Sequence, residues 1–474
     1  MPQAVLDAEG RPRIALLARH AWLATSARRR DPVFWTVAGA TALALGLALY
    51  RLGTLSLWVD EGQTYSVSQR SWIDVARYVL HIEPNFGLYY VGLRGWAALV
   101  GTSEAALRLP SALFAAATVP VTAVLANRLA GRRAAVVAAV LTAVHAALLH
   151  WGQEARAYTM VVFFATLSAL LLLRACDRPS LGRWTAWVAV AILACYAHTF
   201  GAVAVAAQAG ARLIRGSPRR PLLMAGGAVA AAAVPVVVLT LASGTSRIGW
   251  IPDPNWHYVS FVLKELTGSA GAVLALAYGA AALAGIAVLR GADRILVASW
   301  CALPFLFALI ASLVQPLFLD RYLLVCIPPL VIASAAGLAR VRRTALLAGI
   351  VAGFFALSMT AVADWYSGSE REDWRAAVHR VESGERQGDA ILVADGHSAF
   401  EYYYLRVPGP HAQVLAIGAQ GAAAQLRHAN RVWLVVRGNR QTDRLGRRLA
   451  AAGGRRITGR WRPTLLEVDL YAHS

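Results

Sequence analysis

WTAWVAVAILACYAHTFGAVAVAAQAGA (184–211) contains no charged residue. A helix that crosses a bilayer needs about 20 apolar residues, so this run is long for one crossing and short for two. Its flanks decide between them. RACDRPSLGR (174–183) precedes it and ARLIRGSPRR (211–220) follows it, and both are basic. Arg and Lys collect in cytoplasmic loops, so both flanks belong on the same side and the number of crossings is even. The run therefore splits at HTFG (198–201), a tight turn on the outer side.

Other uncharged runs occur at 33–50, 109–126, 134–150, 157–173, 221–246, 266–289, 295–319, 323–339 and 344–363. With 184–211 counted twice they predict about eleven spans, N-terminus cytoplasmic and C-terminus outside. Arg28–Arg30, Arg128 with Arg132 and Arg133, Arg290 with Arg294, and Arg340 with Arg342 and Arg343 then share the cytoplasmic side. Composition agrees: 58% of the 474 residues are hydrophobic and 15% charged, against roughly a quarter charged in soluble domains. The chain is predicted to be an all-α polytopic protein of the plasma (inner) membrane. Its net charge of +20 then reads as orientation, and no nucleic-acid partner is expected. The four cysteines have no paired spacing and read as packing residues.

Three regions follow. Residues 1–32 form a basic cytoplasmic arm, with no cleavable signal peptide expected. Residues 33–363 form the membrane domain, whose first outer loop (51–108) carries two interfacial helices, within 66–81 and 84–101. After residue 364 the pattern changes. REDWRAAVHRVE, then the strand-like AILVA (390–394), RVWLVV (431–436) and TLLEVDLYA (464–472), predict a small extracytoplasmic α/β domain over 364–474.

Charged and aromatic residues gather where spans emerge on the outer face: Asp60 and Glu61 in LWVDEGQTY (57–65), Glu154 with Arg156 and Tyr158 in GQEARAY (152–158), and Asp320 with Arg321 and Tyr322 in LFLDRY (317–322). A carboxylate can take a proton from an attacking hydroxyl, and arginine can hold a phosphate through charge-assisted bonds. The mixture suits transfer of a group from a lipid phosphate. Taken singly, each member also has a plainer reading: a solvated boundary carboxylate, an Asp320–Arg321 ion pair, an interfacial His198.

LWVDEGQTY, then EPNFGLYYVGLRGWAALVGTSEAALRLPSALFAAATVPVTAVLANRLAGRRAA (83–135), WGQEARAYTM (151–160) and LDRYLLVCIPPL (319–330) together resemble the GT-C glycosyltransferases. The bacterial relatives of the protein O-mannosyltransferases and aminoarabinose transferases are the nearest likeness. The resemblance covers roughly 33–340. It implies a polyprenyl-phosphate sugar donor, an acceptor glycan, lipid or protein in the cell envelope, and inverting transfer on the outer face. It further implies a base at Asp60, with Glu61 beside it, and donor-phosphate contacts from Arg156, Tyr158, Arg321 and Tyr322. Where the family often has HPPLYY, this chain has EPNFGLYY. Glu83 stands at the usual histidine, and Glu83, Asn85 and Tyr89 become accessory or acceptor-side candidates, with His198, Glu154 and Asp320.

Lys264, the only lysine among 46 basic residues, is expected as a further phosphate contact. The loop 243–268 around it, with Trp250, Trp256 and Tyr258, reads as a lid or lipid-facing rim. No obligatory cofactor is expected; the acidic cluster leaves room for a divalent metal without demanding one. The alternative is a transporter or flippase of a lipid-linked polar substrate, which tends to carry ionisable residues at mid-membrane and repeated halves. A non-catalytic scaffold is a third reading, and it would tolerate loss of Asp60.

Overall fold

The computed structural model describes residues 31–473 apart from 216–217, 245–247, 269–270, 368–370, 418, 420 and 439. Arg28–Arg30, nearly all of the N-terminal arm, and Arg247 lie outside the described residues. The first helix, α1 (Pro32–Leu49), starts where Asp31 caps the Val33 amide at 2.9 Å and Pro32 occupies the first turn. The segment between α1 and the next long helix, expected to carry two helices, holds three: α2 (Val59–Ser68), α3 (Trp72–His81) and α4 (Gly87–Val100). Glu83 and the short turn Pro84–Phe86 separate the last two.

The bundle continues through α5 (Glu104–Ala130), α6 (Arg132–Ala143), α7 (Ala146–Gly152), α8 (Tyr158–Asp177), α9 (Leu181–Ala197), α10 (Thr199–Ile214) and α11 (Arg219–Ala242). It then runs through α12 (Trp256–Leu266), α13 (Ala272–Val288), α14 (Gly291–Ala311), a 3-10 turn (Asp320–Cys326) leading into α15 (Ile327–Leu338), and α16 (Thr344–Ser367). Among the described residues, seven helices are long and apolar enough to cross a membrane, or eight if α6 and α7, bent by 51°, form one span. The helices α9, α10 and α13 are apolar but only 16–17 residues long. The run 184–211 does break at His198, whose extended backbone separates α9 from α10.

Helices in lipid associate by close packing of small residues, and α13 meets α15 in this way. A Cβ on Gly285 would lie 1.7 Å from the Ala333 carbonyl oxygen, and one on Gly337 2.3 Å from that of Ala281. Exposed Leu276, Leu283, Val234, Val238, Leu303 and Ile310 cover the outer surfaces of α11, α13 and α14, as a lipid-facing surface requires. At the bundle end away from His198, Arg128 grips Asp177 through bonds of 2.7 and 2.8 Å, and Arg212 meets Asp293 at 3.0 Å.

The C-terminal region is an α/β layer: α17 (Trp374–Glu382), β1 (Ala390–Val393), α18 (His397–Tyr404), β2 (Gln413–Ala416), α19 (Ala422–His428), β3 (Arg431–Val436), α20 (Arg440–Ala451), β4 (Arg456–Trp461) and β5 (Glu467–Ala472). Strand order is β2-β1-β3-β5-β4. β1 is parallel to both neighbours, with Ile391 opposite Trp433, while β5 is antiparallel to β3 and β4. The three apolar strands are those legible in the sequence. β2 is only four residues long, and β4 (RITGRW) is an arginine-bearing edge strand, so neither carries a buried-strand pattern.

This layer is joined to the segment that follows α1 by several specific contacts. Arg375 bonds Glu104 at 2.6 Å and the Gly53 and Thr54 carbonyls. Tyr403 accepts the Leu57 amide at 2.7 Å, and Tyr402 donates to the Thr102 carbonyl at 2.9 Å. The start of α2 is pinned there as well: Glu372 accepts the Val59 amide at 3.2 Å. Gly62 permits this approach, since a Cβ on it would lie 2.5 Å from the Ala399 nitrogen of α18.

Candidate active site

Asp60 occupies the first turn of α2, where the helix dipole favours a negative charge. It borders a cavity of about 280 Å³ that is also lined by Glu83, Asn85, Arg156, Tyr158, His198, Arg321 and Tyr322. Three chain breaks converge here: the 153–157 link between α7 and α8, the His198 break, and the 3-10 turn at Asp320. A bundle that interrupts its helices at one depth creates a polar concavity while the remaining lengths stay apolar.

The ionic contacts in the cavity are loose. Arg321 Nη2 lies 3.6 Å from Asp60 Oδ2, and Arg156 Nη2 lies 3.6 Å from Glu83 Oε1, both beyond a normal hydrogen bond. Arg156 also donates to Thr64 Oγ1 at 3.3 Å and to the Tyr90 hydroxyl oxygen at 3.2 Å, with its guanidinium 4.2 Å above the Phe86 ring. Arg321 is surrounded by the rings of Trp58, Trp151, Trp250 and Tyr158 at 5.1–5.9 Å. The Nε atoms of both arginines are buried without a hydrogen-bond partner among the described residues. Glu83 accepts bonds from the Tyr78 and Tyr90 hydroxyls; burial and then Glu83 hold the Tyr90 phenol well above its usual range, so Tyr90 stays a donor.

The cavity has an apolar flank, formed by Val203 of α10, Val237 and Leu241 of α11, Phe307 of α14, and Leu317. Leu241 and Phe307 are 61% and 44% exposed, so on this side the cavity opens onto the lipid-facing surface. Ser243, Gly244, Ile248 and Trp250 contribute its rim.

Five sequence candidates fall elsewhere. Glu61 is fully buried behind the cavity. Arg108 holds it through two bonds of 2.6 and 2.7 Å, and the Ala155 amide donates to it at 2.8 Å. One residue along a helix turns the side chain by about 100°, which sends Asp60 to the cavity and Glu61 into the bundle. Glu154 is buried beside it and bonded by Trp58 Nε1 and Arg371. Burial pushes the Glu154 carboxyl up, but Arg371, His150 and Arg108 more than offset that and hold it below the usual carboxylate range. Tyr89 shares a hydrogen bond with Ser111 at 3.2 Å. Asp320 does not border the cavity; the Glu265 carboxyl is pushed up by burial and then by the charge of Asp320. Lys264, on α12, does not border the cavity; the same loop reaches it through Ser243, Gly244, Ile248 and Trp250 instead.

Arg108 and Arg371 are structural residues that reading the sequence did not single out. Arg108 had a signal: a charge four residues into a long apolar helix demands a buried partner. Arg371 had none, because its bond to Glu154 joins positions 217 residues apart. Among the described residues, no group of three or more His, Cys, Asp or Glu is placed to hold a metal ion.

The family model described as dolichyl-phosphate-mannose-protein mannosyltransferase matches residues 88–242, which include α5, α8, the GQEARAY segment and His198. No curated protein matches the chain in sequence. Among solved structures, ArnT from Cupriavidus metallidurans superposes with a TM-score of 0.61 at 12% identity, over 92% of this chain and 97% of ArnT. The same enzyme bound to undecaprenyl phosphate gives 0.61 at 12% identity, over 93% and 98%. The archaeal oligosaccharyltransferase AglB from Archaeoglobus fulgidus, in complex with an inhibitory peptide and a dolichol-phosphate, gives 0.51 at 10% identity, over 84% and 69%. Nearly full-length superposition on ArnT at so low an identity is agreement of fold. The chain therefore has the GT-C glycosyltransferase fold, and its residues 88–242 match the dolichyl-phosphate-mannose-protein mannosyltransferase domain.

Proposed function

We propose that the chain is an integral-membrane glycosyltransferase that moves a sugar from a polyprenyl-phosphate donor to a hydroxyl acceptor at the outer face of the plasma membrane, with inversion. The observation that carries this reading is one cavity that joins a helix-start carboxylate, two incompletely bonded arginines and an apolar flank open to lipid. The structural neighbours ArnT and AglB were solved with undecaprenyl phosphate and dolichol-phosphate respectively, ligands of the same chemistry. We read α9, α10 and α13 as crossings too, eleven in all with the N-terminus in the cytoplasm, and on that reading the cavity and the C-terminal layer lie outside and the Arg128–Asp177 end in the cytoplasm.

The donor phosphate sits between Arg156 and Arg321, and its polyprenyl chain leaves past Leu241 and Phe307. Asp60 takes the acceptor hydroxyl proton, and the acceptor oxygen bonds to C1 as the C1–O bond to phosphate breaks. The electron pair stays on the phosphate, whose charge rises from about −1 to −2. Two fixed guanidiniums stabilise that added charge more than they stabilise the ground state. An ion pair near 4 Å at an effective dielectric of 20 is worth about 4 kcal/mol. The 3.6 Å Arg321–Asp60 contact is loose enough for phosphate to displace it. Glu83 and Asn85 face the acceptor side.

The test uses purified protein in lipid nanodiscs with a panel of radiolabelled polyprenyl-phosphate sugars and envelope acceptors. Asp60→Asn keeps the shape and removes the base. One donor is expected to turn over in the wild type and to fall about 10²- to 10⁴-fold in the variant. Turnover that survives the substitution intact rejects Asp60 as the base.

A further inference from the structure

His198 ends α9 and starts α10 with an extended backbone, φ −166° and ψ 144°. Its Nδ1 accepts the Phe200 amide at 3.2 Å. An amide N–H can only donate, so Nδ1 is unprotonated and a neutral ring carries its proton on Nε2. The residue is 1% exposed, yet Nε2 has no hydrogen-bond partner among the described residues. Buried polar groups are nearly always bonded, and His198 is among the residues that line the cavity beside Arg156 and Arg321. The ring is held by Tyr322, Phe86 and Tyr158, with centroids 4.9, 5.1 and 5.9 Å away. Burial, then Arg156 and Arg321, push its pKa down to about 3, so it is a neutral donor at any physiological pH.

Resting on the reading of this cavity as a lipid-phosphate site, we infer that His198 is a binding residue for the donor phosphate, its Nε2–H donating to a non-bridging phosphate oxygen beside Arg156 and Arg321. It moves no proton: the acceptor proton goes to Asp60, and the electron pair of the broken C1–O bond stays on the phosphate. Its hydrogen bond strengthens as the second negative charge develops, so its loss falls on kcat more than on KM. A neutral third donor adds directionality without a third cation that would retain the product lipid phosphate.

A plain helix cap would explain the Nδ1 bond alone, and two variants separate the roles. Asn is a strong N-cap, so His198→Asn keeps the cap, but its amide is too short to stand where Nε2 does. His198→Gln can place an amide N–H near Nε2 and caps poorly. Both are compared with the wild type for undecaprenyl phosphate binding and for donor turnover, per monodisperse protein. The expected order is wild type, then Gln, then Asn, with Asn slower by about 10- to 100-fold in kcat. The wild-type pH profile has no imidazole limb between about pH 5 and 8. The reverse order, Asn equal to wild type and Gln impaired, makes His198 a cap only and overturns the inference while the phosphate site stands. A wild type that binds no undecaprenyl phosphate overturns the site and the inference together.

Discussion

Two clusters of charge lie back to back around α2. In the cavity, Asp60, Glu83, Arg156 and Arg321 form contacts of 3.6 Å and leave both arginine Nε atoms without a partner among the described residues. Behind it, Glu61, Glu154, Arg108 and Arg371 form a closed network, in which Arg108 alone makes five hydrogen bonds: two to Glu61 and one each to the Leu52, Leu55 and Ser56 carbonyls. The residue types are the same and the adjacent carboxylates are one position apart. Saturation separates them: charges whose bonding capacity is spent hold the fold, and charges with capacity left over can meet a ligand. The closed network also explains why the C-terminal layer is attached there, since Arg371 at its start completes the bonds of Glu154 beneath α2.

Breaking the closed network should have the largest effect. Arg108→Met leaves the Glu61 carboxylate buried without its main partner, and removing one partner of a buried pair costs about 3–5 kcal/mol. Thermal unfolding in detergent should show the loss, and activity should fall together with the folded fraction. A variant that keeps its melting temperature but loses turnover would mean the clamp acts in catalysis, and the distinction between the clusters would fail.

The second effect is on stability against pH. The Glu154 pKa is depressed in the folded state, so its contribution is complete above the usual carboxylate range and is lost as pH falls through the folded value. His198 works from higher pH. The unfolded residue protonates near 6.5 and the folded one only near 3, so the unfolded state binds more protons in between and stability declines as pH drops below 6.5. From pH 7 to 5 this amounts to about 2 kcal/mol. His198→Asn should flatten the fall in melting temperature over that interval; an unchanged slope would place the acid sensitivity elsewhere.

The smallest effect is expected at Lys264. It does not border the cavity, so Lys264→Ala should change donor KM by less than about twofold. A larger rise would bring the loop 243–268 over the phosphate and extend the open cluster beyond the cavity as described.

The membrane class, the break at His198, the three apolar strands of the C-terminal layer and the positions of Asp60, Arg156 and Arg321 at the span ends were all legible in the sequence. These rest on local quantities: runs without charge, basic flanks and the fixed length of a crossing. The roles of Glu61, Glu154 and Arg371 were not legible, and neither was the course of the short edge strands β2 and β4. Glu61 and Asp60 differ only in the direction in which α2 turns them, and Glu154 meets an arginine 217 residues away. Sequence placed the charges at the span ends. Which of them are spent on the fold and which face the cavity depends on helix rotation and long-range pairing, and only the tertiary structure decides those.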